Sequence, residues 1–166
     1  MIMFNIKTFT LIHVAISLIA IASGFIVVLG LIASKRLNGL TAFFLATTIA
    51  TSVTGFGFPI KGVTPGIVLG VISLVVLAIA VYARYAGRLF GPWRLVYVIT
   101  AVIALYLNFF VLIVQSFQKV PALAALAPTQ SEPPFAVSQI VALVVFIALG
   151  FLAAKWFRDQ PVALAG

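Results

Sequence analysis

The sequence predicts an all-α membrane protein, a bundle of five transmembrane helices. Of its 166 residues, 64% are hydrophobic and only 7% are charged, whereas soluble domains average about 25% charged residues. Five apolar stretches each reach the roughly 20 residues that a helix needs to cross a hydrocarbon core about 30 Å thick. None of them alternates polar and apolar residues, so only α-helices satisfy their backbone hydrogen bonds in lipid.

The expected spans fall, in order, at 9–33, 41–59, 66–86, 95–118 and 135–155. The first is longer than the apolar core of a signal peptide, about 7 to 15 residues, and we expect it to be retained. Glycine, proline and basic residues bound each of the others. The loop before the last span contains the sequence ALAALA, which predicts a short interfacial helix. Short connections and the lack of internal repeats indicate one domain over residues 1–166.

The second span is the least apolar, because it carries six hydroxyl side chains, and its crossing needs an independent test. With five crossings, the basic residues divide seven to three between the two sides of the membrane. Without the second crossing they divide six to four, so the sharper asymmetry favours five spans. The seven are Lys35, Arg36, Arg84, Arg88, Arg94, Lys155 and Arg158, and the three are Lys7, Lys61 and Lys119.

The positive-inside rule assigns the richer side to the cytoplasm. The sequence therefore predicts a multi-pass protein of a bacterial inner membrane, with its N-terminus outside and its C-terminus in the cytoplasm. Aromatic side chains that suit a membrane interface cluster near the expected cytoplasmic boundary. They are Tyr82, Tyr85, Trp93, Tyr97 and Trp156.

The chain has few groups suited to catalysis. Its two acidic residues, Glu132 and Asp159, both lie outside the expected spans, which argues against ion-coupled transport driven by an intramembrane carboxylate. It has no cysteine, one histidine, and neither an HExxH zinc motif nor a GxxxxGK phosphate loop. We therefore expect no catalytic activity and no cofactor. The net charge of +8 does not indicate a nucleic-acid partner, since the basic residues flank apolar spans.

Small residues predict where helices pack against one another. Gly24, Gly66, Gly70 and Gly150 lie within the expected spans, where the missing side chain lets two helix backbones approach closely. The Gly66 and Gly70 pair is also a candidate face for a homo-oligomer or for a partner membrane subunit.

Three arginines are expected to contact membrane lipids. Arg84, Arg88 and Arg94 lie around the connection between the third and fourth spans, on the expected cytoplasmic side. Basic residues in such a position attract anionic headgroups, each contributing about 1 kcal/mol.

Polar residues within the spans predict a ligand-binding pocket that opens outward. Four helices place a polar side chain in the outer half of the bilayer or near its middle, and if these faces converge, a histidine that titrates near neutral pH would lie beside amides and hydroxyls. The alternative interpretation is that these side chains only join neighbouring helices. The candidate ligand-binding residues are His13, Ser17, Thr54, Asn108, Gln115 and Gln139.

The function that this pattern favours is a small binding module or accessory scaffold. Two alternatives remain open. A facilitator or channel for a small solute needs a continuous polar path, but the cytoplasmic halves of most spans are apolar. A redox subunit that holds haem or quinone is the other; bis-histidine haem ligation needs two histidines, so His13 of two copies would have to pair.

Two segments, IHVAISLIAIASG and LNFFVLIVQSFQKVPALAALAPTQSEPPF, resemble a family of small polytopic bacterial inner-membrane proteins that has no assigned activity. The resemblance extends over most of the chain. It implies a location in the bacterial inner membrane and no particular chemistry.

Overall fold

The computed structural model describes residues 5–59, 62 and 64–158, and these form a helical bundle. Lys61 and Asp159, which entered the charge argument, lie outside the described residues. The helices are α1 (Ile6–Ile32), α2 (Asn38–Gly55), α3 (Pro65–Val81), α4 (Pro92–Lys119), α5 (Pro121–Leu126) and α6 (Pro133–Trp156), with a π-helical segment at Tyr82–Ala86 that continues α3.

Proline defines where most of these helices begin. A proline stands in the first turn of α3, α4, α5 and α6, where its missing N–H has no helical partner to lose. Side chains cap two helices: the Asn5 side chain accepts from the Lys7 N–H, and the Thr64 hydroxyl accepts from the Ile67 N–H. The sequence therefore marks the start of nearly every helix locally.

Four helical segments are long and apolar enough to cross a membrane: α1, α3 with its π-helical extension, α4 and α6. This supports a multi-pass membrane protein. The expected five spans are not confirmed, because α2 has 18 residues but its mean hydropathy is too low to place it among these segments. The expected boundary of the second span at residue 59 is also wrong. Its helix ends at Gly55, and Phe56–Phe58 form a turn before Pro59.

Helices α1 to α4 form a ring, in which each contacts the next and α4 contacts α1. Helix α2 runs antiparallel along α1, since His13 meets Thr54 at one end and Leu37 meets Gly30 at the other. Helix α6 lies outside the ring, against α1 and α4, and α5 contacts the end of α4.

The ring closes tightly at the level of Gly24. A Cβ atom there would lie 2.6 Å from Cδ1 of Leu105 and 2.7 Å from the ring of Phe44. Both of these side chains are fully buried, as is Tyr97 nearer the loop between α3 and α4. The prediction that Tyr97 lies at the membrane interface is therefore wrong, because α2 and Arg84 cover it. Tyr82, Tyr85 and Trp156 are exposed near that end.

Helix α6 joins the ring through aromatic side chains. The ring of Phe146 contacts Phe25 of α1 and both Tyr106 and Phe109 of α4, with centroids 5.5 to 5.6 Å apart. The opposite face of α6 is exposed and apolar, as lipid contact requires. It includes Val137, Ile140, Val141, Val144, Ile147 and Phe151.

Candidate functional site

A cavity of 590 Å³ lies inside the four-helix ring, at the end where α2 gives way to α3. This volume is within the range of small-molecule sites, about 300 to 1,000 Å³. Its walls come from the first half of α1, the end of α2, the start of α3 and the second half of α4. The tight contact around Gly24 lies beyond its inner end. Apolar side chains such as Leu18, Ile67 and Val111 make up much of the lining.

Four of the six candidate binding residues line this cavity. His13 and Ser17 contribute from α1, and Asn108 and Gln115 contribute from α4. His13 and Gln115 lie at a similar height because α1 and α4 run in opposite directions. Gly24, which follows His13 on α1, lies beside Leu105, which precedes Gln115 on α4. The structure thus brings these four side chains to one space.

Thr54 lies behind the cavity wall rather than in the lining. Its Oγ1 lies 2.8 Å from Nδ1 of His13, so it determines how the imidazole is held. The ring of Phe58 packs edge-on against the imidazole, with centroids 5.1 Å apart. His13 is therefore fixed by α2 on one side and by the following turn on the other.

Gln139 is not brought to the cavity. It lies on α6, outside the ring, and its Nε2 donates to the backbone carbonyl of Phe110, 3.3 Å away. Its Oε1 is buried without a partner among the described residues. Gln139 lies level with Phe110 of α4, but its helix packs on the outside of the ring.

Three buried polar residues of the lining were not among the candidates. Thr51 and Ser52 of α2 and Ser73 of α3 all border the cavity and are each less than one-tenth exposed. Their signal in the sequence was the run of hydroxyl residues along the second span, which was interpreted as a weakness of that span and as helix contact. A hydrophilic stripe on an otherwise apolar helix was also compatible with a cavity wall.

The glycines of α3 face the cavity as well. Gly66 and Gly70 are both in its lining, and a Cβ at Gly70 would come within 2.9 Å of the Phe56 ring. This places the expected self-association face toward the inside of the ring. Gly24 packs closely against α2 and α4, while a Cβ at Gly150 would make an ordinary 3.5 Å contact with Val102.

The three arginines gather at the other end of the bundle and differ in their surroundings. Arg88 is exposed, as headgroup contact requires. Arg84 is only 7% exposed, and its Nη2 donates to Oδ1 of Asn38 at 2.7 Å and to the carbonyl of Arg36 at 3.2 Å. Its guanidinium also lies over the Tyr97 ring, 5.0 Å from the centroid. Arg84 is therefore directed into the protein.

Arg94 also binds protein carbonyls. Its Nη1 donates to the carbonyls of Ala154 and Phe157, at the end of α6. Carbonyl groups in the last turn of a helix lack helical donors, and a cation there also meets the negative end of the helix dipole. Of the three arginines, Arg88 alone is fully exposed.

Within the described part of the chain, no group of three or more histidine, cysteine or acidic side chains is placed to hold a metal ion. No family model, curated protein or solved structure matches the chain.

Proposed function

We propose that this chain is a five-span protein of the bacterial inner membrane that binds a small molecule in the cavity of its four-helix ring. The observation that carries the proposal is the lining itself, in which His13, Ser17, Asn108 and Gln115 meet around a space of 590 Å³. A concave, mostly apolar space with a few convergent polar groups is the usual form of a ligand site.

The antiparallel pairing of α1 and α2 supports the fifth span. The contacts run from the level of His13 to the level of Gly30. Seventeen residues of helix rise about 26 Å, close to the thickness of the hydrocarbon core. A helix that follows a transmembrane neighbour over this distance crosses with it, and its buried hydroxyls face protein rather than lipid.

The arginine-rich end supports the orientation. Arg84, Arg88 and Arg94 lie at the end of the bundle away from the cavity, and the positive-inside rule assigns that end to the cytoplasm. The cavity then opens to the outside, in agreement with the resemblance of the sequence to bacterial inner-membrane proteins. Membrane lipids surround the chain in this arrangement.

A binding role fits this structure better than a channel. Beyond the inner end of the cavity, the ring is filled by apolar side chains that are less than 3% exposed, including Phe44, Leu45, Leu77 and Leu105. A channel needs a polar path through this layer. The cavity is therefore a closed-ended site in this conformation.

Cysteine labelling tests the proposal, because the chain has no cysteine of its own. We expect Ser17→Cys to react with a membrane-impermeant maleimide added to the outside of spheroplasts. Val141→Cys, on the lipid-facing side of α6 at a similar depth, is the matched control and should stay unlabelled. Labelling of Ser17→Cys from the inside alone would reverse the orientation, and no labelling from either side would contradict an open cavity.

Native mass spectrometry of the protein released from its own membrane then tests occupancy. We expect a small molecule to accompany the wild-type chain and to be lost from Ser73→Leu, which fills the cavity from α3. Val141→Leu, outside the ring, should retain it. The same bound mass on the wild-type and Ser73→Leu proteins would contradict ligand binding in the cavity.

A further inference from the structure

The two halves of the cavity wall offer a ligand different hydrogen-bonding groups, acceptors on one side and donors on the other. On α1 and α2, the hydroxyls of Ser17, Thr51 and Ser52 donate to the carbonyls of His13, Thr47 and Thr48, at 2.8 to 3.0 Å. A hydroxyl has one proton and two lone pairs. These three groups have therefore committed their protons, and what remains for a ligand is the lone pairs of their oxygens.

His13 adds another acceptor to the same side. The Thr54 hydroxyl donates to the carbonyl of Ala50 at 2.7 Å, so its oxygen accepts from Nδ1 of His13. The neutral imidazole then carries its proton on Nδ1, and Nε2 is left with a lone pair. No residue of the described chain donates to Nε2.

The wall formed by α3 and α4 keeps donors. Among the described residues, the Ser73 hydroxyl and the Gln115 amide have no hydrogen-bond partner, and Nδ2 of Asn108 is buried without one. One hydroxyl on this side, that of Ser116, has committed its proton to Leu112. A buried donor without a partner costs roughly 1 to 3 kcal/mol, so a ligand that accepts from Nδ2 of Asn108 removes a penalty.

The charges around the cavity indicate a neutral ligand. Among the described residues of the lining none is acidic, and Lys119, at the end of α4, is the one cation. A cationic ligand would have no counter-ion there, while an anion deep in the cavity would leave water without gaining a charged partner. An uncharged molecule avoids both costs.

We infer that the ligand is an uncharged amphipathic molecule that presents a hydroxyl or N–H donor to the α1 and α2 wall and an acceptor to the α3 and α4 wall. Its apolar part lies against side chains such as Leu18 and Val111. This inference rests on the proposed function, and it adds the direction of the hydrogen bonds that select the ligand.

A matched pair of probes tests it: 4-hexylphenol, which donates and accepts, and 4-hexylanisole, whose methylated oxygen only accepts. Binding is measured by equilibrium dialysis against the full chain in nanodiscs, and empty nanodiscs correct for partitioning into lipid. We expect the phenol to bind about three- to tenfold more tightly, the value of one net hydrogen bond. Replacing all four acceptors of the wall, in the His13→Phe, Ser17→Ala, Thr51→Val, Ser52→Ala protein, should remove this preference. Ser138→Ala, which removes a hydroxyl of α6, should leave it unchanged.

The outcomes separate the two proposals. A phenol preference that disappears in the protein lacking all four acceptors supports the inference, and anisole binding equal to that of the wild type shows that the cavity is intact there. Equal binding of both probes, or a preference that persists in that protein, overturns the inference and leaves the cavity as a general apolar site. No binding above empty nanodiscs overturns both proposals.

Discussion

Nδ1 of His13 lies 2.8 Å from Oγ1 of Thr54, and this contact joins α1 to α2 at the edge of the cavity. It is the one side-chain hydrogen bond between these helices that the described residues show within the spans. Each partner is only partly buried, so the bond also decides how the imidazole is presented to the cavity. Loss of Thr54 would free the ring to rotate.

We expect Thr54→Val to lower the free energy of unfolding by about 1 kcal/mol, as interhelical hydrogen bonds in membrane proteins typically do. Thr47→Val is the control, since the Thr47 hydroxyl donates to carbonyls of its own helix. A double-mutant cycle with His13→Leu measures the coupling. A coupling energy near zero would mean that the two side chains are neighbours without a stabilising bond.

Gly24 should tolerate no larger residue. We expect Gly24→Ala to lower the free energy of unfolding by about 1 to 3 kcal/mol, because its methyl group would overlap Leu105 and Phe44. Gly150→Ala, with its nearest contact at 3.5 Å, should change it by less than about 0.5 kcal/mol. Thermal unfolding of both variants in the same detergent measures the difference. Equal effects would show that α1 and α4 separate readily.

Arg84 should stabilise the fold, and Arg88 should not. Arg84→Leu leaves the Asn38 side chain and the Arg36 carbonyl without this donor, and we expect a loss of about 2 kcal/mol. Arg84→Lys should not restore it, because an ammonium group cannot lie flat over the Tyr97 ring as the guanidinium does. Arg88→Gln should leave the thermal midpoint unchanged.

For lipid binding we expect the opposite result, in which Arg88 contributes and Arg84 does not. We expect Arg88→Gln to lower the affinity of the protein for anionic lipid, since Arg88 is exposed. Titration of the detergent-solubilised protein with anionic and with zwitterionic lipid, read by native mass spectrometry, measures this. A weaker lipid preference in the Arg84 variants alone would contradict the arrangement described here.

The loop before α6 should lose stability when the carboxyl group of Glu132 is protonated. Desolvation acts to raise the pKa of Glu132, but hydrogen bonds from Thr129 and from the Ser131 N–H together lower it below its ordinary value. A lowered pKa means that the carboxylate stabilises the loop above the ordinary pKa, and that this contribution is lost as the pH falls through the lowered one. NMR titration of the Glu132 carboxyl measures the midpoint. Thr129→Val should raise it, and an unchanged midpoint would contradict the hydrogen-bonded turn.

The sequence was sufficient for the existence of the long helices and for most of their ends. Prolines, capping side chains and glycines are local signals, and they mark α4, and α3 with its π-helical extension, to within three residues of their expected limits. The depth of His13 and Gln115 along the bundle followed from counting residues at 1.5 Å each. Four of the six candidate residues therefore line one cavity.

The order of the helices around the bundle was beyond the sequence. Gln139 lies on α6, outside the ring. Because apolar residues occur on all sides of α6, their periodicity does not show which face of this helix points toward the bundle. Arg84 shows a second limit. The π-helical segment at Tyr82–Ala86 rotates the side chains that follow it, and nothing in its five residues marked this turn in advance.

Helix α6 contributes no residue to the cavity lining. The molecule thus divides into a four-helix ring that encloses the cavity and a supporting helix that is apolar and exposed over most of its surface. Substitutions along the exposed side of that helix are free to adapt the protein to membranes of different thickness or composition without altering the cavity. Divergence between related chains should concentrate there.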